Sequence, residues 1–121
     1  MDRYLLEDYI SSFYKAEPEH LWMRYPSFAV FRHGENRKWF AVVMELPAEK
    51  LGLPAGGRVN VVNLKCDPLL IGSLWGHEGI HKGYHMNKKY WLTLRLDGSI
   101  APDQIRWLLE MSFQLTAPKK G

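Results

Sequence analysis

The spacing of apolar and polar positions divides the chain into eight elements. From Met1 to Lys15, Leu5, Tyr9 and Phe13 recur every four residues, with Leu6, Ile10 and Tyr14 as a neighbouring row. That spacing makes one broad apolar face on a helix of about four turns, with Asp2 placed to cap it. Glu17-Pro18 ends the segment, because the residue before proline is pushed out of the α region. Residues 18–27 have no period and are expected to form an irregular connection with Trp22 and Tyr25 packed down. Ser27 to His33 and Lys38 to Leu46 are β-rich runs around the turn Gly34-Glu35-Asn36, which predicts a hairpin. Pro47 to Gly57 is a loop with room for one helical turn at Ala48 to Leu51, and the valine-rich run Arg58 to Lys65 is a third strand.

The second half continues the pattern. Asp67-Pro68 opens a short helix, with Asp as cap and proline where no N–H partner is needed. The glycines at 76, 79 and 83 mark a loop over 76–83. Tyr84 to Met86 and Trp91 to Leu96 are expected strands around the basic turn Asn87-Lys88-Lys89. Strict alternation sends Leu92, Leu94 and Leu96 to the core and offers Trp91, Thr93 and Arg95 to solvent or a partner. Pro102 opens a last helix whose inner stripe is Ile105, Leu108, Leu109, Ser112 and Phe113, and Lys119-Lys120-Gly121 is expected to fray. The order α-β-β-β-α-β-β-α predicts an α+β domain spanning 1–121: an antiparallel β-sheet with helices packed on one face.

Composition narrows the class. A chain of 121 residues with 46% hydrophobic and 24% charged positions is an ordinary globular domain that needs no staple. Cys66 is the single cysteine, the first residues do not form a secretory signal, and no run approaches a membrane span of roughly 18 apolar residues. The expectation is a soluble cytoplasmic monomer. The formal charge of +3 is concentrated: residues 79–96 hold Lys82, Lys88, Lys89 and Arg95 with no acid, leaving the rest of the chain at −1. A local, acid-free excess of positive charge is the footprint of an anionic partner.

Three blocks carry a family resemblance. Asn63-Leu64-Lys65-Cys66-Asp67-Pro68, Gly83-Tyr84-His85-Met86-Asn87-Lys88 followed by Trp91, and Leu96-Asp97-Gly98-Ser99 resemble the MmcQ/YjbR family of small bacterial proteins. The resemblance runs from the opening helix to the closing one, with a longer loop near Leu51 to Gly57. It implies a CyaY-like (frataxin-like) fold and DNA binding through a double-wing-like surface.

The candidate chemistry follows from the basic window. Lys65, Lys82, Lys88, Lys89 and Arg95 are expected to neutralise phosphates, while His85, Asn87 and Trp91 supply polar and stacking contacts. The leading expectation is a non-enzymatic nucleic-acid-binding module for duplex DNA. An alternative is a regulatory adaptor that offers the same face to an acidic protein. A small-molecule site using His85 as acid or base ranks last. His77, His81 and His85 are spaced by four, but the interleaved glycines deny them a common helix, so no metal or cofactor is expected. Cys66 reads as a buried apolar residue rather than a nucleophile.

Overall fold

A computed structural model describes residues 1–119; Lys120 and Gly121 of the expected tail lie outside the described residues. The chain order is α1 (Arg3–Tyr14), β1 (Ala29–Arg32), β2 (Trp39–Pro47), a 3-10 turn (Ala48–Leu51), β3 (Arg58–Lys65), α2 (Pro68–Leu74), β4 (Ile80–Lys82), β5 (Trp91–Arg95) and α3 (Pro102–Thr116). The strands form one antiparallel sheet in the order β1-β2-β3-β5-β4. The α+β class and the element order are therefore as the periodicity predicts.

Both expected helix caps form. The Asp2 carboxylate accepts from the Leu5 N–H at 2.9 Å, and the Asp67 carboxylate accepts from Leu69 N–H at 2.9 Å with Pro68 in the first turn. Each cap satisfies one of the donors a helix start leaves free, worth about 1 kcal/mol.

All three helices cover one face of the sheet. Leu6 and Ile10 of α1, Ile71 of α2, and Ile105, Leu108 and Leu109 of α3 share a core with Val62, Leu64, Leu92 and Leu94. Leu5 and Phe13 do not join it: they are 57% and 61% exposed, so only the Leu6 row of the predicted double stripe is buried in α1. In α3, Ser112 is fully buried; its hydroxyl donates to the Phe40 carbonyl at 2.6 Å and accepts from the Lys65 N–H at 2.8 Å. One side chain thereby ties the helix to two strands.

The opposite face holds a second, smaller core of Val30, Val42, Met44, Leu46, Val59 and Val61. A bulge supplies part of it. Phe31 pairs with Ala41 and Arg32 with Trp39, so Phe40 is an extra residue in β2. Phe40 and Ala41 then both enter the helix-covered core, while Trp39 and Val42 serve the other side. Trp22, from the segment without period, and Phe28, from the start of the first β-rich run, pack over this second core. That segment also joins the sheet edge, where Glu19 and Val30 exchange backbone hydrogen bonds at 2.9 Å. Trp22 is half-buried as expected, whereas Tyr25 is 53% exposed.

Two expectations change here. The strand preceding Trp91 is Ile80–Lys82, inside the predicted loop, and Tyr84 to Met86 form a turn instead. Ile80 pairs with Leu94 and Lys82 with Leu92, so the ladder is built where Ile80 can bury its side chain. Thr93 is not offered to solvent either: it is fully buried. The alternation is correct, but the face it points to is covered.

Candidate nucleic-acid interface

The chain from Gly83 to Tyr90 is held down by a closed polar triangle. Asn63 and Thr93 face each other across β3 and β5, and both are fully buried. The Thr93 hydroxyl donates to the Asn63 carboxamide oxygen at 2.6 Å and accepts from the Tyr84 N–H at 2.7 Å. The Asn63 amide donates to the Tyr84 carbonyl at 2.9 Å. Both backbone groups of half-buried Tyr84 are thus satisfied by buried side chains. Gly83 lets the turn begin, because a side chain there would meet the Trp91 carbonyl oxygen at 2.8 Å and the Trp91 Cβ at 2.9 Å. At the far end the Asn87 side chain accepts from the Lys89 N–H at 2.9 Å, and its carbonyl accepts from Trp91 N–H at 3.0 Å. Asn87 therefore shapes the turn with its side-chain oxygen, rather than offering that atom to a partner.

The lysines of the expected surface lie around this turn. Lys82, Lys88 and Lys89 are exposed and Lys65 is half-buried. The Lys82 ammonium sits 4.9 Å from the centre of the Trp75 ring. Lys65 and Lys89 approach the Tyr90 ring at 5.9 and 5.6 Å. Every ion pair among the described residues uses an arginine, so these four lysines have no carboxylate partner there. Arg95 differs. Its side chain is only 12% exposed and lies 3.1 Å from the Asp97 carboxylate and 4.0 Å from that of Glu78. The two acids stand just outside the acid-free window and fold back on it. Arg95 is thereby removed from the free cations. Burial alone would raise the Asp97 pKa, yet hydrogen bonds from the Ser99 hydroxyl and N–H, with the Arg95 charge, hold it below the usual value.

The remaining candidates separate. Trp91 is half-buried beneath the Gly83 turn. His85 is exposed, takes a left-handed backbone at φ 58°, and stacks on Tyr84 at 4.1 Å. His81 is half-buried, and burial, followed by the nearby Arg95 charge, lowers its pKa. His77 lies beyond the C-terminus of α2, His81 on β4 and His85 in the turn, so the three do not share a face. No group of three or more His, Cys, Asp or Glu poised for a metal occurs among the described residues. Cys66 is buried; burial, then the charge of Asp67, raises its thiol pKa and opposes thiolate formation.

Sequence reading missed Tyr90 and Trp75, the rings under the lysines. Tyr90 carried a signal, since it stands between Lys89 and Trp91. Trp75 carried none, because its approach to Lys82 depends on where α2 ends relative to β4. The large depression of about 580 Å³ beside α1 is of opposite character, bordered by Glu7, Asp8, Glu17 and Glu45. No helix among the described residues is long and apolar enough to cross a membrane.

Comparison with known proteins adds the relatives. A family model described as YjbR matches residues 11–115. YyaQ of Bacillus subtilis is 39% identical over 103 residues, covering 85% of this chain and 87% of its own. A Pseudomonas syringae protein solved by crystallography has a TM-score of 0.95 at 45% identity, covering 97% of this chain and all (100%) of its own. A Deinococcus radiodurans structure with a TM-score of 0.69 at 23% identity, covering 94% of this chain and 79% of its own, shares the fold.

Proposed function

The chain belongs to the YjbR family, and we propose that it is a nucleic-acid-binding module, without a chemical step, that takes duplex DNA by its phosphates along Lys65, Lys82, Lys88 and Lys89. The observation that carries this reading is the set of four lysines at the ends of β3 and β4 and on the turn that follows, with no carboxylate partner among the described residues. Three of them rest against aromatic rings. A cation held against a ring keeps its charge and loses less side-chain freedom on binding. Each lysine that meets a phosphate releases condensed counterions, so affinity comes chiefly from charge. Tyr90 and exposed His85 supply contacts beside the phosphates. A cytoplasmic location, where the lone buried cysteine stays reduced, fits the same reading.

Titration of a labelled 20-base-pair duplex, followed by anisotropy at stepped salt, tests it. With four phosphate contacts, log K should fall against log salt with a slope of about −3 to −4. The triple change Lys82→Glu, Lys88→Glu and Lys89→Glu should abolish binding without changing the thermal midpoint by more than a few degrees. Undetectable binding at low salt, or affinity that is flat against salt, would sink the reading.

A further inference from the structure

Beside the lysine ridge, the second face of the sheet carries an aromatic groove that phosphate contacts leave unused. Two stacked pairs line it: Tyr25 on Phe28, with ring centres 4.9 Å apart and planes 20° apart, and Tyr84 on His85, at 4.1 Å and 16°. All four residues border both of its cavities, of about 450 and 250 Å³. The larger of the two falls in the range of small-molecule sites, about 300–1,000 Å³. Tyr84 also borders a third depression, of about 310 Å³, which is lined by Lys50, Lys82 and Lys88. Lys50 reaches both this basic depression and the larger aromatic cavity.

The groove is built rather than incidental. The Asn63–Thr93 triangle fixes the Tyr84 backbone, and with it the start of the groove's wall. His85 occupies the left-handed region without being a glycine or ending a helix. Such backbone strain persists only where the surroundings over-determine it, and it concentrates at binding sites.

We infer that the groove takes one unpaired nucleotide, its base against the Tyr25–Phe28 and Tyr84–His85 pairs and its phosphate over Lys50 and Lys88. The charges decide the occupant. Flat aromatic walls accept the π face of any base; the Glu45 carboxylate at the cavity is held by Arg58 at 2.6 Å, and Lys50 and Lys88, without a carboxylate partner among the described residues, are complementary to the phosphate that accompanies the base. A paired base inside a duplex presents no free face, so the groove favours single strands and frayed ends over continuous duplex. This inference rests on the nucleic-acid reading but adds Lys50, Tyr25 and the base itself. A free mononucleotide and a nucleotide within a strand offer the same chemistry.

Three labelled probes separate the possibilities: a dT12 single strand, a blunt hairpin duplex, and a 5′-mononucleotide read by quenching of Trp22 and Trp39 fluorescence. Tyr25 is half-exposed, so Tyr25→Ala should fold as the parent does, with a thermal melt as control. Tyr25→Ala is expected to weaken dT12 binding by about tenfold and to leave duplex binding unchanged. Lys50→Glu should weaken dT12 and the mononucleotide together. Mononucleotide binding at the affinity of dT12 identifies a free nucleotide as occupant, and dT12 binding alone identifies the strand. Duplex binding equal to or tighter than dT12 binding, with Tyr25→Ala silent on both, overturns the groove while leaving the lysine ridge intact. No binding of any strand overturns both readings, unless the mononucleotide still binds in a Tyr25-dependent way, which preserves the groove alone.

Discussion

At the residue scale, Thr93 shows how far alternation can be trusted. Its face was legible from the period of two along Trp91 to Leu96; its burial was not, because nothing in that period reveals a loop returning over it. The hydroxyl serves two buried partners at once, Tyr84 N–H and Asn63. Thr93→Val keeps the shape and removes both bonds, leaving a buried donor and acceptor unmet. A loss of about 1–3 kcal/mol in denaturant unfolding is expected, with Thr93→Ser close to the parent. Arg95 teaches the complementary lesson. An acid-free window is a statement about sequence, and Glu78 and Asp97 needed only to flank it to neutralise one of its charges in space.

At the element scale, the connection between β4 and β5 is the feature on which both binding readings depend. Gly83 accepts no Cβ because the Trp91 backbone is already there. Gly83→Ala must push the turn off the strand, at an expected cost of about 1–3 kcal/mol. The same variant should lose nucleic-acid affinity at temperatures where the rest of the fold is intact; unchanged affinity would show that the turn does not position the lysines. The short strand Ile80–Lys82 lies four residues before the strand that the sequence predicts at Tyr84 to Met86. Three glycines nearby spoke for a loop, and only pairing with β5 supplies the hydrogen bonds that make it a strand. Helices are more legible, since a helix closes its own hydrogen bonds and announces its ends through local caps such as Asp2 and Asp67.

At the scale of the whole molecule, two histidines couple the fold to pH. Burial lowers the pKa of His33, although a hydrogen bond donated by its ring to the Phe113 backbone opposes it, and burial followed by the Arg95 charge lowers that of His81. Both are kept neutral in the folded state, while the unfolded chain takes up protons near the ordinary value of 6.5. Stability is therefore full above that value and falls as pH drops below it. Asp97 acts later, since its ordinary value is 3.8 and its contribution is lost only in stronger acid. Thermal midpoints measured between about pH 7 and 5 should decline, and His33→Gln with His81→Gln should flatten the decline. A parent curve that is flat over this range would refute the coupling.

The chain's own order of residues determined the element sequence, the helix caps, the helix-covered core and the place of the basic turn, because each depends on neighbours a few positions apart. Only the tertiary structure decided which lysines remain unpaired, which rings lie beneath them, and that residues 18–28 and 84–86 meet across the second face to form an aromatic groove. The groove joins segments that are 56 (84 − 28) or more positions apart with no shared period, so its contacts exist only once the sheet has brought them together.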